Sequence, residues 1–149
     1  MTSPLRISFE VACPIEHAFD MWTSRISTWW PPDHTVSGDP DLVVVLEGAV
    51  GGRIYERTTA GVEHDWGVVT VWDPPTRLCY LWHLGRTEAE GTDVEVTFAP
   101  EGAIATRIDI EHRGWERLGE TAAVWRDRNR VGWETLLPHF AAATARGES

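Results

Sequence analysis

Lysine is missing from this 149-residue sequence, so that all 13 of its formally cationic side chains are arginines. Schiff-base chemistry through a side-chain amine is thereby excluded. Cysteine is scarce: Cys13 and Cys79 have no metal-ligand spacing and no nucleophile signature, and both are expected as buried thiols. No apolar run reaches the ~18 residues that a membrane-crossing helix needs. The opening "MTSPLRISFE" has neither a basic segment nor an apolar signal core, so a cytoplasmic location with no membrane partner is expected. Positive charge is outnumbered, since 23 acidic residues leave a net charge of −10 that repels phosphate backbones. Nucleic acid is not an expected partner.

Chemical motifs are equally sparse. The six histidines, His17, His34, His64, His83, His112 and His139, show none of the i, i+4 helical or i, i+2 strand pairings that metal sites use. No metal and no cofactor is expected. A G-x-S-x-G elbow is also absent, which leaves covalent catalysis without support.

What the sequence has in quantity is tryptophan, nine residues of it. Each ring buries about 150–250 Å² and wants a partner for its N–H, so these side chains must be either core or the wall of a cavity. The stretch "VTVWDPPTRLCYLWHLG" raises the choice sharply, with Trp72, Tyr80 and Trp82 around a double proline; Tyr80 or Trp82 is expected inward and Trp72 near the turn.

The length suits one domain, residues 1–149. "LRISFEV" alternates as a half-buried strand, with Ile7, Phe9 and Val11 on one side. "CPIEHAFDMW" reads as a short helix with Pro14 at its first position, and Ile26, Trp29 and Trp30 extend a helical pattern until "PPDH". From Leu42 to Pro100 the period is two, broken by "AVGG", where Gly51 and Gly52 are expected to supply positive φ, and by "DPPT". "TDVEVTFAP" and "AIATRIDIEHRG" complete about seven strands, with Val94, Val96, Phe98, Ile104, Ile108 and Ile110 inward. After Trp115, Ala122, Trp125, Asn129, Trp133, Leu136 and Phe140 recur every three or four residues as one stripe of a long helix, which Pro138 should kink or end. "RDRNR" on this helix reads as a solvated, salt-bridged face. From Thr121 to Leu137 the helix is ~26 Å long, whereas seven flat strands span roughly 30 Å across. The sheet must curl around the helix, and a cavity between them is the consequence.

This order of elements resembles the START-like, Bet v 1-like (SRPBCC) superfamily and its helix-grip fold, an α+β architecture with a curved antiparallel sheet around one C-terminal helix and two short helices after strand one. "VACPIEHAFDMWT", "GGRIYER", "WGVVTVWDPPTRLCYLW", "TDVEVTF", "TRIDIEHRGWERLG" and "GWETLLPHF" look like the bacterial branch named for Hsp90 ATPase activator homologues. Superfamily members bind lipids, sterols or hormones, or cyclise polyketides, so the resemblance implies a cavity without choosing its use. Eukaryotic activators carry a further N-terminal domain with an Asn- and Trp-rich signature, which this sequence does not show; an Hsp90-type chaperone is not an expected partner.

Three functions follow as expectations. The first is binding of a small, largely apolar molecule, of ~20 heavy atoms, with Trp30, Trp66, Trp82, Trp125 and Trp133 as walls and Tyr80 as the alternative inward ring beside Trp82. Arg53 and Tyr55, if inward, would hold its polar end, and Asn129, alone among apolar residues on the stripe, must find a partner in protein, water or ligand. The second is a cofactor-independent cyclase or hydrolase with His64 as acid or base, against the alternative of an edge histidine in water. The third, carried only by the family name, is a protein-interaction module.

Overall fold

The computed structural model describes residues 3–84 and 86–145. Strand β1 (Leu5–Val11) leads through helix α1 (Ile15–Trp22) and two 3-10 turns (Ile26–Thr28 and Pro32–His34) to a run of six strands. These are β2 (Val43–Leu46), β3 (Arg53–Arg57), β4 (Glu63–Asp73), β5 (Arg77–Trp82), β6 (Thr92–Pro100) and β7 (Thr106–Arg113), followed by helix α2 (Ala122–Ala145). All pair antiparallel in one sheet of order β1-β7-β6-β5-β4-β3-β2. The helix-grip expectation holds: α2 lies across one face of a seven-stranded sheet.

Alternation decides that face. Val94, Val96 and Phe98 of β6 stand opposite His112, Ile110 and Ile108 of β7, and all six are buried. Against them sits an aromatic wedge from α1. Trp22 meets Phe140 of α2 edge-on at 4.9 Å and stacks on Trp133 at 6.0 Å, while Trp29 meets Phe140 at 5.2 Å. Phe19 reaches the other way to Phe98 and Trp72, both at 5.2 Å. Offset and edge-to-face geometry of this kind adds about 0.5–1.5 kcal/mol per pair beyond the area buried.

Several local expectations need correction. Ile104, expected inward, is 77% exposed, because it lies in the turn between β6 and β7 where the pleat no longer assigns a face. In the β2–β3 connection only Gly51 has positive φ (86°); Gly52 is demanded by close approach instead, since a Cβ there would lie 2.3 Å from the Glu47 carbonyl oxygen. Pro14 precedes α1 as its N-cap in extended geometry rather than opening it. Pro138 does not end α2, which continues to Ala145. Its missing N–H would have met the Glu134 carbonyl. Both residues are on the exposed side, so water can take that bond while Phe140 and Ala143 stay buried.

One polar cluster lies inside this core. The Trp133 indole donates to His112 Nδ1 at 3.1 Å, which leaves the ring proton on Nε2 to donate to Thr92 Oγ1 at 2.7 Å. The His112 carbonyl also accepts from the Trp115 indole at 2.9 Å. His112 thus ties β7 to β6, to the turn at Trp115 and to the middle of α2 at Trp133. Burial, aided by the Arg86 charge, pushes its pKa down to about 3.

Two outcomes follow. Phe140→Ala should cost about 3–5 kcal/mol in urea unfolding, against less than about 0.5 kcal/mol for the exposed Val124→Ala; equal costs would show that Phe140 does not key the core. Unfolded His112 takes its proton near 6.5, whereas the folded residue waits until about 3. Its contribution is therefore fully present above pH 6.5 and is lost as pH falls toward 3, by up to about 1.4 kcal/mol per unit. Between pH 6.5 and 5, Tm of the wild type should fall more steeply than that of His112→Gln.

Candidate functional site

The aromatic wedge fills the half of the concavity nearest α1 and β6. At the other end, where β5 runs out and α2 begins, side chains from three segments leave a cavity of about 170 Å³, partly open to solvent. Trp30 and His34 come from the segment after α1, Trp82, Leu84 and Arg86 from the end of β5 and the loop beyond, and Trp125, Arg128, Asn129, Gly132, Trp133 and Leu136 from α2. The helical spacing of the last group places them on one face across successive turns.

The walls are fixed by hydrogen bonds at the edges of the rings. Trp30 donates its indole N–H to the His34 carbonyl at 2.9 Å, which holds the ring against Trp66 (5.1 Å) and Trp82 (5.8 Å). Trp133 is held from behind by His112. The Asn129 Nδ2 donates to the Trp125 carbonyl one turn back, at 2.8 Å, so the amide's partner is its own helix. Gly132 lies in the middle of α2, and a Cβ built on it would meet nothing within 4 Å. Helix propensity disfavours glycine at such a position by about 1 kcal/mol relative to alanine. The space a side chain would take is part of the pocket.

Of the residues singled out by sequence, Trp30, Trp82, Trp125, Asn129 and Trp133 line this cavity. Trp66 and Tyr80 are buried behind Trp82, at 5.8 and 5.7 Å from it, and burial pushes the Tyr80 hydroxyl up in pKa despite a bond from Trp22. Trp72 lies beside Phe19 near the Pro74–Pro75 turn, as expected. His64 is half-buried opposite Glu56 in the β3–β4 pairing and does not line the pocket.

Arg53 and Tyr55 are a correction. Both face the outer surface, where Arg53 binds Asp65 (2.7 Å) and Glu63 (3.0 Å) and covers the Tyr55 ring at 4.0 Å. The inward residues of β3 are Ile54, within the apolar core, and Glu56, bonded to the buried Trp66 indole, whereas Tyr55 is buried beneath Arg53 and Arg57 on the outer face. Burial raises the Glu56 pKa, but bonds from the Ser37 hydroxyl, the backbone N–H groups of Val36 and Ser37 and the Trp66 indole together bring it below the usual value. Those donors, at 2.6, 2.9 and 2.8 Å for Val36, Ser37 and Trp66, make Glu56 a staple for the segment entering β2.

Sequence reasoning passed over His34, Leu84, Arg86, Arg128, Gly132 and Leu136 as pocket residues. For the helical ones a signal existed: Arg128, Gly132 and Leu136 recur at i, i+4, i+8, and Arg128 and Gly132 follow Trp125 and Asn129 by three. Both cysteines are buried, and burial pushes both thiols up in pKa, which disfavours a thiolate nucleophile. Among the described residues there is no cluster of three or more His, Cys, Asp or Glu side chains able to hold a metal, and no helix is long and apolar enough to cross a membrane. A wider groove of about 430 Å³ runs beside Phe19, Trp72, Pro74 and Pro75 at the opposite end, but no residue of α2 walls it.

The model of the family described as Activator of Hsp90 ATPase homolog 1-like protein matches residues 12–145. No curated protein matches the chain significantly. Among solved structures, Txn09, described as an anthrahydroquino-Gama-pyrone synthase, is 35% identical over 81% of this chain and 82% of its own, with a TM-score of 0.58. CalC from Micromonospora echinospora, a self-sacrificing resistance protein, is 29% identical over 99% of this chain and 97% of its own, with a TM-score of 0.75. Protein MLL2253 from Mesorhizobium loti shares the fold at 18% identity and a TM-score of 0.71, over 98% of this chain and 99% of its own. With its family model covering all but the ends, and a fold shared with these structures, the chain belongs to the Activator of Hsp90 ATPase homolog 1-like family, in the START-like, Bet v 1-like superfamily.

Proposed function

We propose that the protein binds a small aromatic molecule between the end of β5, the segment after α1 and helix α2. The supporting observation is the cavity itself, walled by Trp30, Trp82, Trp125 and Trp133 and left free by Gly132. Indoles offer flat, polarisable faces suited to another ring. An engineered apolar cavity of about 150 Å³ is enough to hold benzene, so a volume of about 170 Å³ suits one ring. That is smaller than a ligand of ~20 heavy atoms needs; the remainder of a larger molecule would lie beyond the open side. Two reduced, buried thiols fit a cytoplasmic setting.

A second reading, an enzyme acting on such a molecule, is favoured by the description of Txn09 as a synthase. In that reading the histidine at the pocket is His34, not His64.

The test reads indole N–H resonances by NMR while one- and two-ring aromatics are titrated. Signals of Trp30, Trp82, Trp125 and Trp133 should move, and that of Trp115, packed against His112, should not. Gly132→Ala should raise stability by about 0.5–1 kcal/mol, and Gly132→Leu should fold yet weaken binding at least about ten-fold by filling the pocket. Undiminished affinity in Gly132→Leu would place the ligand elsewhere.

A further inference from the structure

Arg86 and Arg128 both line the pocket, and both lie over the Trp125 indole, their guanidinium carbons 4.8 and 5.0 Å from a ring centre. Neither has a carboxylate partner among the described side chains, which do not include that of Glu88. Every other described arginine forms an ion pair, except Arg126, which donates to the carbonyls of Ser3 and Pro4. In a chain carrying a net charge of −10, counter-ions for arginine are plentiful, so two guanidiniums left without one at the same cavity are an exception with a location.

Arg86 carries the point further. Its Nη1 and Nη2 donate to the carbonyls of Glu90 and Trp82, and its Nε is buried with no acceptor. The nearby Glu90 carboxylate is already engaged by the backbone N–H and hydroxyl of Thr87. A buried, unsatisfied donor on a charged group is costly, more so than on a neutral one. Burial pushes the Arg86 pKa down, and the nearby Glu90 charge offsets that only in part. Cation–π contact with Trp125 offsets part of this, at about 0.5–2 kcal/mol, but supplies no acceptor for the N–H. A carboxylate would supply one, in the planar geometry that guanidinium forks match.

We infer that the ligand of this pocket is an aromatic acid, its ring against the tryptophan walls and its carboxylate received by Arg86 and Arg128. The inference rests on the pocket being the binding site, and goes beyond that reading by assigning the ligand's charge. The chain's overall negative field opposes any anion, so a preference for one has to come from these two side chains.

Phenylacetate and phenylacetamide differ in charge but scarcely in shape, which separates the two readings in one calorimetric comparison at low salt. The acid should bind the wild type about ten-fold or more tightly than the amide. Arg128→Gln, an exposed position, and Arg86→Met should each weaken the acid several-fold and leave the amide unchanged. Equal binding of acid and amide would overturn the aromatic-acid inference while leaving an aromatic pocket in place. A preference for the acid that survives in the double variant would overturn it too, because the charge would be read elsewhere. Binding of neither would remove both readings.

Discussion

A single helix has to fill the concave face of a seven-stranded sheet, and the rest of the molecule is arranged around its insufficiency. Helices are about 10 Å across with side chains, whereas seven strands at about 4.8 Å spacing span roughly 30 Å. The deficit is made up unequally. Toward one end, Phe19, Trp22 and Trp29 drive in from the segment after β1 and lock against Phe140 and Phe98, so that rings pack on rings. Toward the other end α2 presents Trp125, Asn129 and Gly132 in place of a continuous row of aliphatics, and the filling stops short.

Polar bonds keep that end from collapsing. An indole whose N–H is held at its edge cannot rotate to fill an adjoining void without losing the bond. Trp30 is held by the His34 carbonyl, Trp133 by His112 and Trp66 by Glu56. The same bonds explain how so small a chain carries nine tryptophans. Those buried most deeply satisfy their one donor within the protein, Trp115 on the His112 carbonyl and Trp29 on that of Met21. The polar cost that normally limits tryptophan in a core is thereby met.

The architecture was readable because its signals are local. Period-two alternation in "TDVEVTF" and "TRIDIEH" and period-3.6 recurrence from Ala122 to Phe140 depend only on neighbouring residues. The sidedness of β3 was not local. Alternation separates Arg53 and Tyr55 from Ile54 and Glu56, but a strand with an arginine, a tyrosine and a glutamate offers no apolar majority to name the inner face. Glu56 is inward because the loop at Val36 and Ser37 brings N–H donors to it, a contact across about twenty residues of sequence. His112 was passed over for a similar reason: a lone histidine on a strand looks like an edge residue until Thr92 and Trp133 meet its two nitrogens.

By itself, then, the sequence determined the elements and their order, and that Trp30, Trp66, Trp82, Trp125, Asn129 and Trp133 were candidates for one wall, all from periodicity and turn chemistry, which act over a few residues; the helix-grip class came from the resemblance of its ordered motifs to a family. Only the tertiary structure decided which tryptophans are packed solid and which border open space, that Arg53 and Tyr55 face outward, and that Arg86 and Arg128 converge on one indole. Each of those outcomes depends on the curl of the sheet and the placement of α2 upon it, and the separations involved, such as the forty-two positions between Arg86 and Arg128, lie far beyond the reach of any repeating pattern.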